Sequence, residues 1–273
     1  MKYYPTVLSI AGSDSGGGAG IQADIKAISA TGGYAATAIT AVTIQNTQGV
    51  EGVFPVPPDV ISAQIASVLS DIGAKAVKIG MLHSSAVMDT VRKTLDRFNV
   101  TNIVLDPVMV STSGHRLMEE DAIETLQRLL IPRARVITPN VPEAEILSGR
   151  KITRQAQLPE VARMLSQQGK VSVLMKAGHL SEEKLVDIFY NAEEDHCIEL
   201  VSKRLYSKNT HGTGCTLSSA MASYLAQNYS LDDAAQAAKE YISKAIESGA
   251  GYEIGHGHGP VNHFFAITDE RPR

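Results

Sequence analysis

The sequence is poor in cysteine, has no excess of basic residues and contains no hydrophobic run long enough to cross a membrane. Its 2 cysteines, Cys197 and Cys215, lie far apart among 273 residues and lack the spacing of metal ligands. A disulfide framework is therefore excluded, and a reducing compartment is expected. The net charge of −4 speaks against a nucleic acid or an anionic membrane surface as a partner. The run from Ala35 to Ile44 is too short and too rich in threonine to span a bilayer.

The N-terminus also lacks the pattern of a secretory signal, since its first residues combine lysine, tyrosine and proline. Apolar residues make up 44% of the chain and charged residues 20%, which is ordinary for a globular protein. The length suits one large α/β domain with an ample core. We therefore expect a cytoplasmic protein that forms a single domain over residues 1–273.

Two common nucleotide-binding motifs are missing from the glycine-rich stretch Gly12–Gly20. A dinucleotide fingerprint needs G-x-G-x-x-G, which these glycines do not supply in register, so a dehydrogenase is disfavoured. A P-loop needs a lysine after its second glycine, and Gly17 is followed by Gly18 and Ala19 instead. We expect the backbone of this stretch to contact a ligand directly, because glycines have no side chain in the way. The alternative is a flexible surface turn.

Strand and helix signals alternate along the whole chain. Short apolar runs that end in glycine, aspartate, asparagine or lysine alternate with segments of helical periodicity. This alternation predicts an α/β fold in which helices flank a largely parallel central sheet. The second strand is predicted over 38–45 and a helix over 119–130. The segments 185–190 and 198–201 are predicted to be edge strands.

A second glycine loop, Asn209–Cys215, runs directly into a predicted helix. Gly212 and Gly214 allow consecutive N–H groups to converge, and the helix start adds unpaired N–H groups and a positive dipole end. Such a loop is an anion site, and Cys215 falls in the first helical turn, where a thiol pKa is often lowered. The hypothesis is a hole for a transferring phosphoryl group beside a protonatable side chain. The alternative is a structural turn with a small buried cysteine.

Further polar residues follow strands or start helices, which places them at one edge of the sheet. Gln45 can read the edge of a heterocycle, although amides more often cap turns. Lys176 can meet phosphate as a point charge. Asp24 is either a partner of the helix dipole or a ligand contact, and its spacing does not decide which. The other candidate at this edge is Asp106.

Asn140 and Glu143 form an N-x-x-E pair at a helix start. One amide and one carboxylate can hold hydrated magnesium, because Mg²⁺ keeps several of its waters. The alternative is a capping pair, which taken alone is the more common use. The loop 108–116 is either a cover that excludes water or an ordinary loop. The histidines between His256 and His263 lack a regular metal-ligand frame.

Taken together, several stretches resemble the hydroxymethylpyrimidine/phosphomethylpyrimidine kinases of the ribokinase superfamily. The resemblance runs from about Val7 to Phe265, and bacterial pyridoxal kinases share the general pattern. The motifs that carry it are Ala11–Asp24, Gln45–Thr47, Lys78–Met81, Leu105–Met109, Thr138–Asn140, Lys176–His179 and His211–Cys215.

The resemblance implies a ribokinase-like domain that uses ATP and Mg²⁺ to phosphorylate 4-amino-5-hydroxymethyl-2-methylpyrimidine and then its monophosphate. It also implies a homodimer. Gln45 would pair with the aminopyrimidine edge, and the pocket lining would be Gly12, Asp24, Thr43, Met81 and Val108. Nucleotide and phosphate contacts would come from Asp106, Asn140, Glu143 and Lys176, with Glu143 acting on magnesium through water. The anion hole would be Gly212, Thr213 and Gly214, with Cys215 as the base.

Two other functions stay open at this point. A pyridoxal kinase would differ only in the heterocycle that the pocket around Gln45 accepts. A non-catalytic ligand-binding protein on the same fold is disfavoured, because binding alone needs no base beside an anion hole.

Overall fold

The computed structural model describes residues 3–109, 117–119 and 121–267, and nine strands in this part of the chain form one sheet. The order across the sheet is β3-β2-β1-β4-β5-β6-β7-β8-β9. The strands are β1 (Thr6–Asp14), β2 (Tyr34–Asn46), β3 (Gly49–Pro55), β4 (Ala76–Ile79), β5 (Ile103–Leu105), β6 (Val136–Ile137), β7 (Ser172–Met175), β8 (Lys184–Asn191) and β9 (His196–Lys203).

Six neighbouring strands, in the order β2-β1-β4-β5-β6-β7 across the sheet, are parallel, as the sequence predicts. The strands at the two ends of the sheet pair antiparallel. At one end β3 pairs antiparallel with β2, and at the other β8 pairs with both β7 and β9. The two segments predicted as edge strands form β8 and β9; β9 lies at the edge of the sheet, but the prediction is wrong for β8, which pairs on both sides.

Helices cover both faces of the sheet. One face carries α2 (Pro58–Asp71), α3 (Ser85–Arg97), α4 (Ala122–Thr125), α5 (Val141–Ser148) and α6 (Leu158–Leu165). The other carries α1 (Gly20–Ala30), α7 (Thr213–Ala226) and α8 (Leu231–Gly249). Successive strand residues point to opposite faces, so Val7 packs against the second group of helices and Leu8 against the first. Each helical layer thereby buries its own core.

Two predicted elements are wrong in extent. The helix predicted over 119–130 begins only at Ala122 and changes to a π-turn, Leu126–Leu130, followed by a 3₁₀ turn, Ile131–Arg133. Pro132 in that turn has no N–H group with which to continue a helix. The strand predicted over 38–45 extends over Tyr34–Asn46, and the chain returns as β3, a strand that the sequence did not predict.

Most of the loop 108–116 lies outside the described residues, so its predicted role as a cover stays a prediction. None of the helices in the described segments is both long and apolar enough to cross a membrane.

Candidate active site

One cavity of about 620 Å³ runs along the carboxyl edge of the sheet. Its lining follows the strand order, because each strand from β2 to β9 contributes residues at or just beyond its end. Thirteen of the fourteen residues predicted for the site line this cavity; they are Gly12, Thr43, Gln45, Met81, Asp106, Val108, Asn140, Glu143, Lys176, Gly212, Thr213, Gly214 and Cys215. The structure therefore brings these thirteen residues together around one cavity.

The start of α7 offers free backbone N–H groups to the cavity. Gly212 precedes the helix with φ of 78°, a left-handed conformation that favours glycine. The first helical hydrogen bond runs from the Thr216 N–H to the Gly212 carbonyl at 2.9 Å. The N–H groups of Gly214 and Cys215 precede it and lie outside the helical ladder, next to the positive end of the dipole. This geometry suits an anion.

The first glycine loop is folded around the carboxylate of Asp14. This carboxylate accepts backbone N–H bonds from Gly16, Gly18 and Ala19 at 2.8–3.0 Å. It also lies 2.9 Å from Nε2 of His211, a residue of the second glycine loop. Burial alone raises the pKa of Asp14, but the bonds from His211 and the loop outweigh it and hold the pKa below its usual value. Asp14 and His211 therefore join the two glycine loops.

Gln45 lies at the end of β2, within reach of both the cavity and His211. Its Nε2 atom lies 3.3 Å from Nε2 of His211, and its Oε1 atom accepts a bond from Thr43 at 3.1 Å. Thr43 also donates to the Ser13 carbonyl at 2.8 Å. The amide is thus held by polar partners on both sides, with its edge available to a ligand.

Lys176 and Asp106 form an ion pair beside the glycine of the anion site. The lysine Nζ lies 3.0 Å from Oδ1 of Asp106, which also accepts from Thr138 at 2.9 Å. A Cβ atom on Gly214 would lie 3.3 Å from both charged groups. Burial lowers the pKa of Lys176, but Asp106 and Glu143 more than offset this and raise it. The ammonium therefore stays charged next to the anion site.

Asn140 and Glu143 form the capping box that the sequence left as an alternative. The asparagine side chain accepts from the Glu143 N–H at 2.9 Å, and the glutamate accepts from the Asn140 N–H at 2.8 Å. Both residues also line the cavity, so capping and ligand contact are compatible. Burial raises the pKa of Glu143 to about 7, while Lys176 opposes the shift and Asp106 adds to it.

The oxygen donors in this region fit a hydrated magnesium ion. Glu143 and Asp106 are hard oxygen ligands, and each retains lone pairs beyond the hydrogen bonds it accepts. Burial raises the pKa of Glu143 and Lys176 only partly offsets this, so a divalent cation beside the carboxylate would favour its ionised form.

Asp24 is the one predicted site residue that the structure places elsewhere. The expectation that it lines the pocket is wrong, because its side chain has 0% exposure and lies against Lys78, whose side chain is equally buried. Both carboxylate oxygens lie 2.9 Å from the lysine Nζ. Ser9 and Ser219 also donate to the carboxylate, at 2.6 and 2.7 Å. Asp24 therefore has a full set of partners inside the protein.

The lowered thiol pKa predicted for Cys215 is also wrong for the protein without ligands. Burial raises the pKa of this thiol to about 11, although the Lys78 charge and the Gly20 N–H act in the opposite direction. The prediction counted the helix start and ignored desolvation, which a sequence does not display. At neutral pH the group is a thiol in the unliganded protein.

Sequence reasoning missed three charged features of the site. They are the Asp14–His211 pair, the Lys78–Asp24 pair, and a pair between Lys239 and Asp187 with 2.7 Å between charged atoms. A usable signal existed for Lys78, which stands alone among apolar residues in Ala76–Ile79. A lysine in the middle of a buried strand needs a carboxylate partner.

The geometry and the strand order define a ribokinase-like fold with one cleft for a small molecule and an anion. A family model described as phosphomethylpyrimidine kinase matches residues 14–262. The hydroxymethylpyrimidine/phosphomethylpyrimidine kinase of Rhizobium meliloti is 46% identical over 258 residues, covering 94% of this chain and 96% of the relative. The chain therefore belongs to the phosphomethylpyrimidine kinase family.

Two further comparisons bear on domain content and substrate. The thiamine biosynthesis bifunctional protein ThiED of Geobacter sulfurreducens is 45% identical over 268 residues, 98% of this chain. The chain spans about half of that relative, 54% of its length. An ADP complex of Bacillus subtilis pyridoxal kinase superposes with a TM-score of 0.88 at 34% identity, covering 97% of this chain and 100% of that one.

Proposed function

We propose that this protein transfers the γ-phosphoryl group of ATP to the hydroxymethyl group of 4-amino-5-hydroxymethyl-2-methylpyrimidine, and then phosphorylates the monophosphate. The observation that carries the proposal is that Gln45, the anion site at Gly214 and Lys176 line the same cavity. They lie along it in the order of the strands across the sheet. The family membership supports the same reaction, since relatives along the whole chain carry both activities in their names.

The strand order supports a separate place in the cavity for each substrate. Residues from β1, β2 and β4 surround Gln45, which would pair with the aminopyrimidine edge because an amide offers both a donor and an acceptor. Residues of β8, residues beyond β9 and residues of α8 line the other part with apolar side chains suited to a nucleobase; they include Leu185, Leu205, Ile242 and Ile246. The anion site at Gly214 lies between these two parts, beside Asp106 and Lys176, which follow β5 and β7.

The chemistry between the two substrates is positioning and charge neutralisation, as phosphoryl transfer requires. The N–H groups of Gly214 and Cys215 and the Lys176 ammonium would bind the transferring phosphoryl oxygens. Cys215 would accept the proton of the attacking hydroxyl. Magnesium, when bound with ATP near Glu143, would offset the charge of the phosphates.

The proposal is tested by incubating the purified protein with Mg-ATP and either the hydroxymethylpyrimidine or pyridoxal, and weighing the products by mass spectrometry. Mono- and diphosphate from the pyrimidine are expected. A Gln45→Leu variant should lose activity on the pyrimidine through a raised KM, while ATP binding stays intact. Absence of any product from the pyrimidine would refute the proposal.

Pyridoxal phosphorylation is the second candidate, and the superposition with the Bacillus subtilis pyridoxal kinase favours it. Pyridoxal phosphate without pyrimidine phosphates would leave the fold and chemistry in place and change the substrate. The higher identity to the Rhizobium enzyme, 46% against 34%, ranks the pyrimidine first.

We also propose that the protein is a homodimer that uses the outer face of the β2–β3 hairpin. Val42, Ile44 and Phe54 are each about half exposed, at 48%, 48% and 60%. Val42 pairs directly with Phe54 across the strands, and Ile44 lies opposite Gly52. The three side chains form one apolar surface at the edge of the sheet, and burying that surface against a second copy is favourable.

A further inference from the structure

Helices α1 and α7 meet at two levels that are one helical turn apart. At the first level the backbone N–H of Gly20, at the start of α1, acts on the thiol of Cys215 and favours its thiolate. At the second, the hydroxyl of Ser219 donates to Asp24 at 2.7 Å. Residues four apart share a face of a helix, so the Asp24 carboxylate lies one turn along from the Cys215 thiol.

The Asp24 carboxylate fixes the ammonium of Lys78, which comes from β4. The lysine Nζ lies 2.9 Å from both oxygens of Asp24, so two of its three N–H groups have a partner in this pair. A Cβ atom on Gly80 would lie 2.7 Å from this nitrogen, which explains a glycine two residues further along the chain. Lys78 and Cys215 both line the cavity.

Four charged groups act on the Cys215 thiol, namely Lys78, Asp24, Asp106 and Lys176. Of the two that belong to the buried pair, Lys78 favours the thiolate more strongly than Asp24 opposes it. The net effect of the pair on the sulfur is therefore that of a positive charge. Uncharged side chains joined by hydrogen bonds could fill the same space, but they would place no charge near the sulfur.

We propose that Lys78, held in place by Asp24, stabilises the thiolate of Cys215 on which proton transfer from the substrate hydroxyl depends. The inference rests on the proposed function. In the step, the hydroxyl O–H bond breaks as an S–H bond forms, and the hydroxyl oxygen bonds to the γ-phosphorus of ATP. The bond from that phosphorus to the bridging oxygen breaks, and its electron pair leaves with ADP. Lys78 and Asp24 are positioning residues that act through Cys215.

The first test measures the reactivity of the thiol itself and needs neither ATP nor an acceptor. Iodoacetamide alkylation of Cys215 is followed by mass spectrometry against pH in a Cys197→Ala background, so that one thiol remains. Lys78→Met is expected to slow alkylation at about pH 8 roughly tenfold, as a rise of one pKa unit does. Asp24→Asn removes the opposing charge and is expected to speed alkylation.

Alkylation that slows in Lys78→Met and speeds up in Asp24→Asn would show an effect of charge. A loosened helix contact would instead change the accessibility of the thiol in the same direction in both variants. An unchanged alkylation rate in Lys78→Met, or equal changes in the two variants, would overturn the proposal. If Lys78→Met does not fold, the Lys78→Met/Asp24→Asn double variant leaves no buried charge unpaired. It should still react more slowly than the parent, and an equal rate would again overturn the proposal.

A second readout links the pair to the reaction. The first phosphorylation starts from an alcohol that must lose a proton, whereas the second starts from a phosphate that is already ionised near neutral pH. Lys78→Met should therefore slow the first step about tenfold more than the second, while purely structural damage slows both alike. Failure of both steps in the parent protein would refute the proposed function and leave the alkylation result valid.

Discussion

The carbonyl oxygen of Gly18 occupies the space that a Cβ atom on Gly212 would need. These residues belong to the two glycine loops, and Gly212 also has φ of 78°. A side chain at this position would therefore push the loops apart and strain the backbone at the same time. The close approach of the loops is what aims the N–H groups of α7 into the cavity.

Gly212→Ala is expected to lower kcat/KM by at least about 10²-fold, because one displaced group at an anion hole costs that much. The matched control is Gly73→Ala, which has φ of 72° and open space around the added methyl group. The control should lose about 1 kcal/mol of stability and keep its activity. Steady-state kinetics with thermal denaturation of both variants makes the comparison. Equal activity in the two variants would show that the loop contact is dispensable.

Cys215→Ala is expected to lower kcat for the pyrimidine alcohol by roughly 10²–10⁴, with little change in ATP binding. Phosphorylation of the monophosphate should fall by less than about tenfold, since its attacking oxygen needs no base. Single-turnover assays started from each acceptor give the two rates, and Cys197→Ala is the control thiol. Near-normal kcat on the alcohol would remove Cys215 from the mechanism.

Glu143 should make the protein less stable as the pH rises from about 5 to about 8. Its folded pKa of about 7 lies above the ordinary value of 4.5, so the folded state binds the extra proton in this window. The free energy of unfolding is expected to fall by about 2–3 kcal/mol, and Glu143→Gln should remove most of that fall. Urea denaturation at both pH values measures it.

Glu145, on the same helix, serves as the control for this pH dependence. The Ile152 N–H, and after it Lys151, lower the pKa of Glu145, so the group is ionised at both pH values. Glu145→Gln should therefore shift stability equally at about pH 5 and about pH 8. A fall with pH that persists in Glu143→Gln would assign the effect to another group.

Phe54→Glu is expected to convert a dimer into a monomer, because it places a charge in the centre of the exposed apolar surface of the hairpin. Light scattering after size-exclusion chromatography reads the mass directly. Met164→Glu is the control, since Met164 is also exposed, at 42%, but lies on α6. A parent protein that is monomeric at micromolar concentration would contradict the dimer proposal.

The sequence predicted the parallel sheet, and the edge of the sheet at which the cavity lies, for a simple reason. In a parallel sheet the strand ends share one edge, so Gln45, Asp106, Asn140 and Lys176 can be collected without knowing any distance. It did not predict β3, whose two glycines and half-exposed side chains lack the alternation of a buried strand. A strand with weak hydrophobic periodicity forms because it pairs with a neighbouring strand, and such pairing cannot be read from the local sequence.

Two expectations, that Asp24 lines the cavity and that the Cys215 thiol has a lowered pKa, failed for a different reason. Asp24 stands in a helix near a glycine loop, and only the position of β4 shows that Lys78 reaches it. The Cys215 thiol pKa depends on burial, which outweighs the helix start that the sequence displays. Both depend on which group is desolvated and what charge faces it, and neither property can be read from residue spacing.

The contact between the two glycine loops joins opposite ends of the chain. Asp14 and His211 are 197 residues apart, and Asp24 and Ser219 are 195 apart. During synthesis the N-terminal loop must therefore wait until α7 has been made before its carboxylates find their partners. Contacts of this span slow folding, and a nascent chain that stops before α7 holds Asp24 and Lys78 without the helix that covers them. Kinase activity is accordingly a test of whether the last third of the protein has folded onto the first.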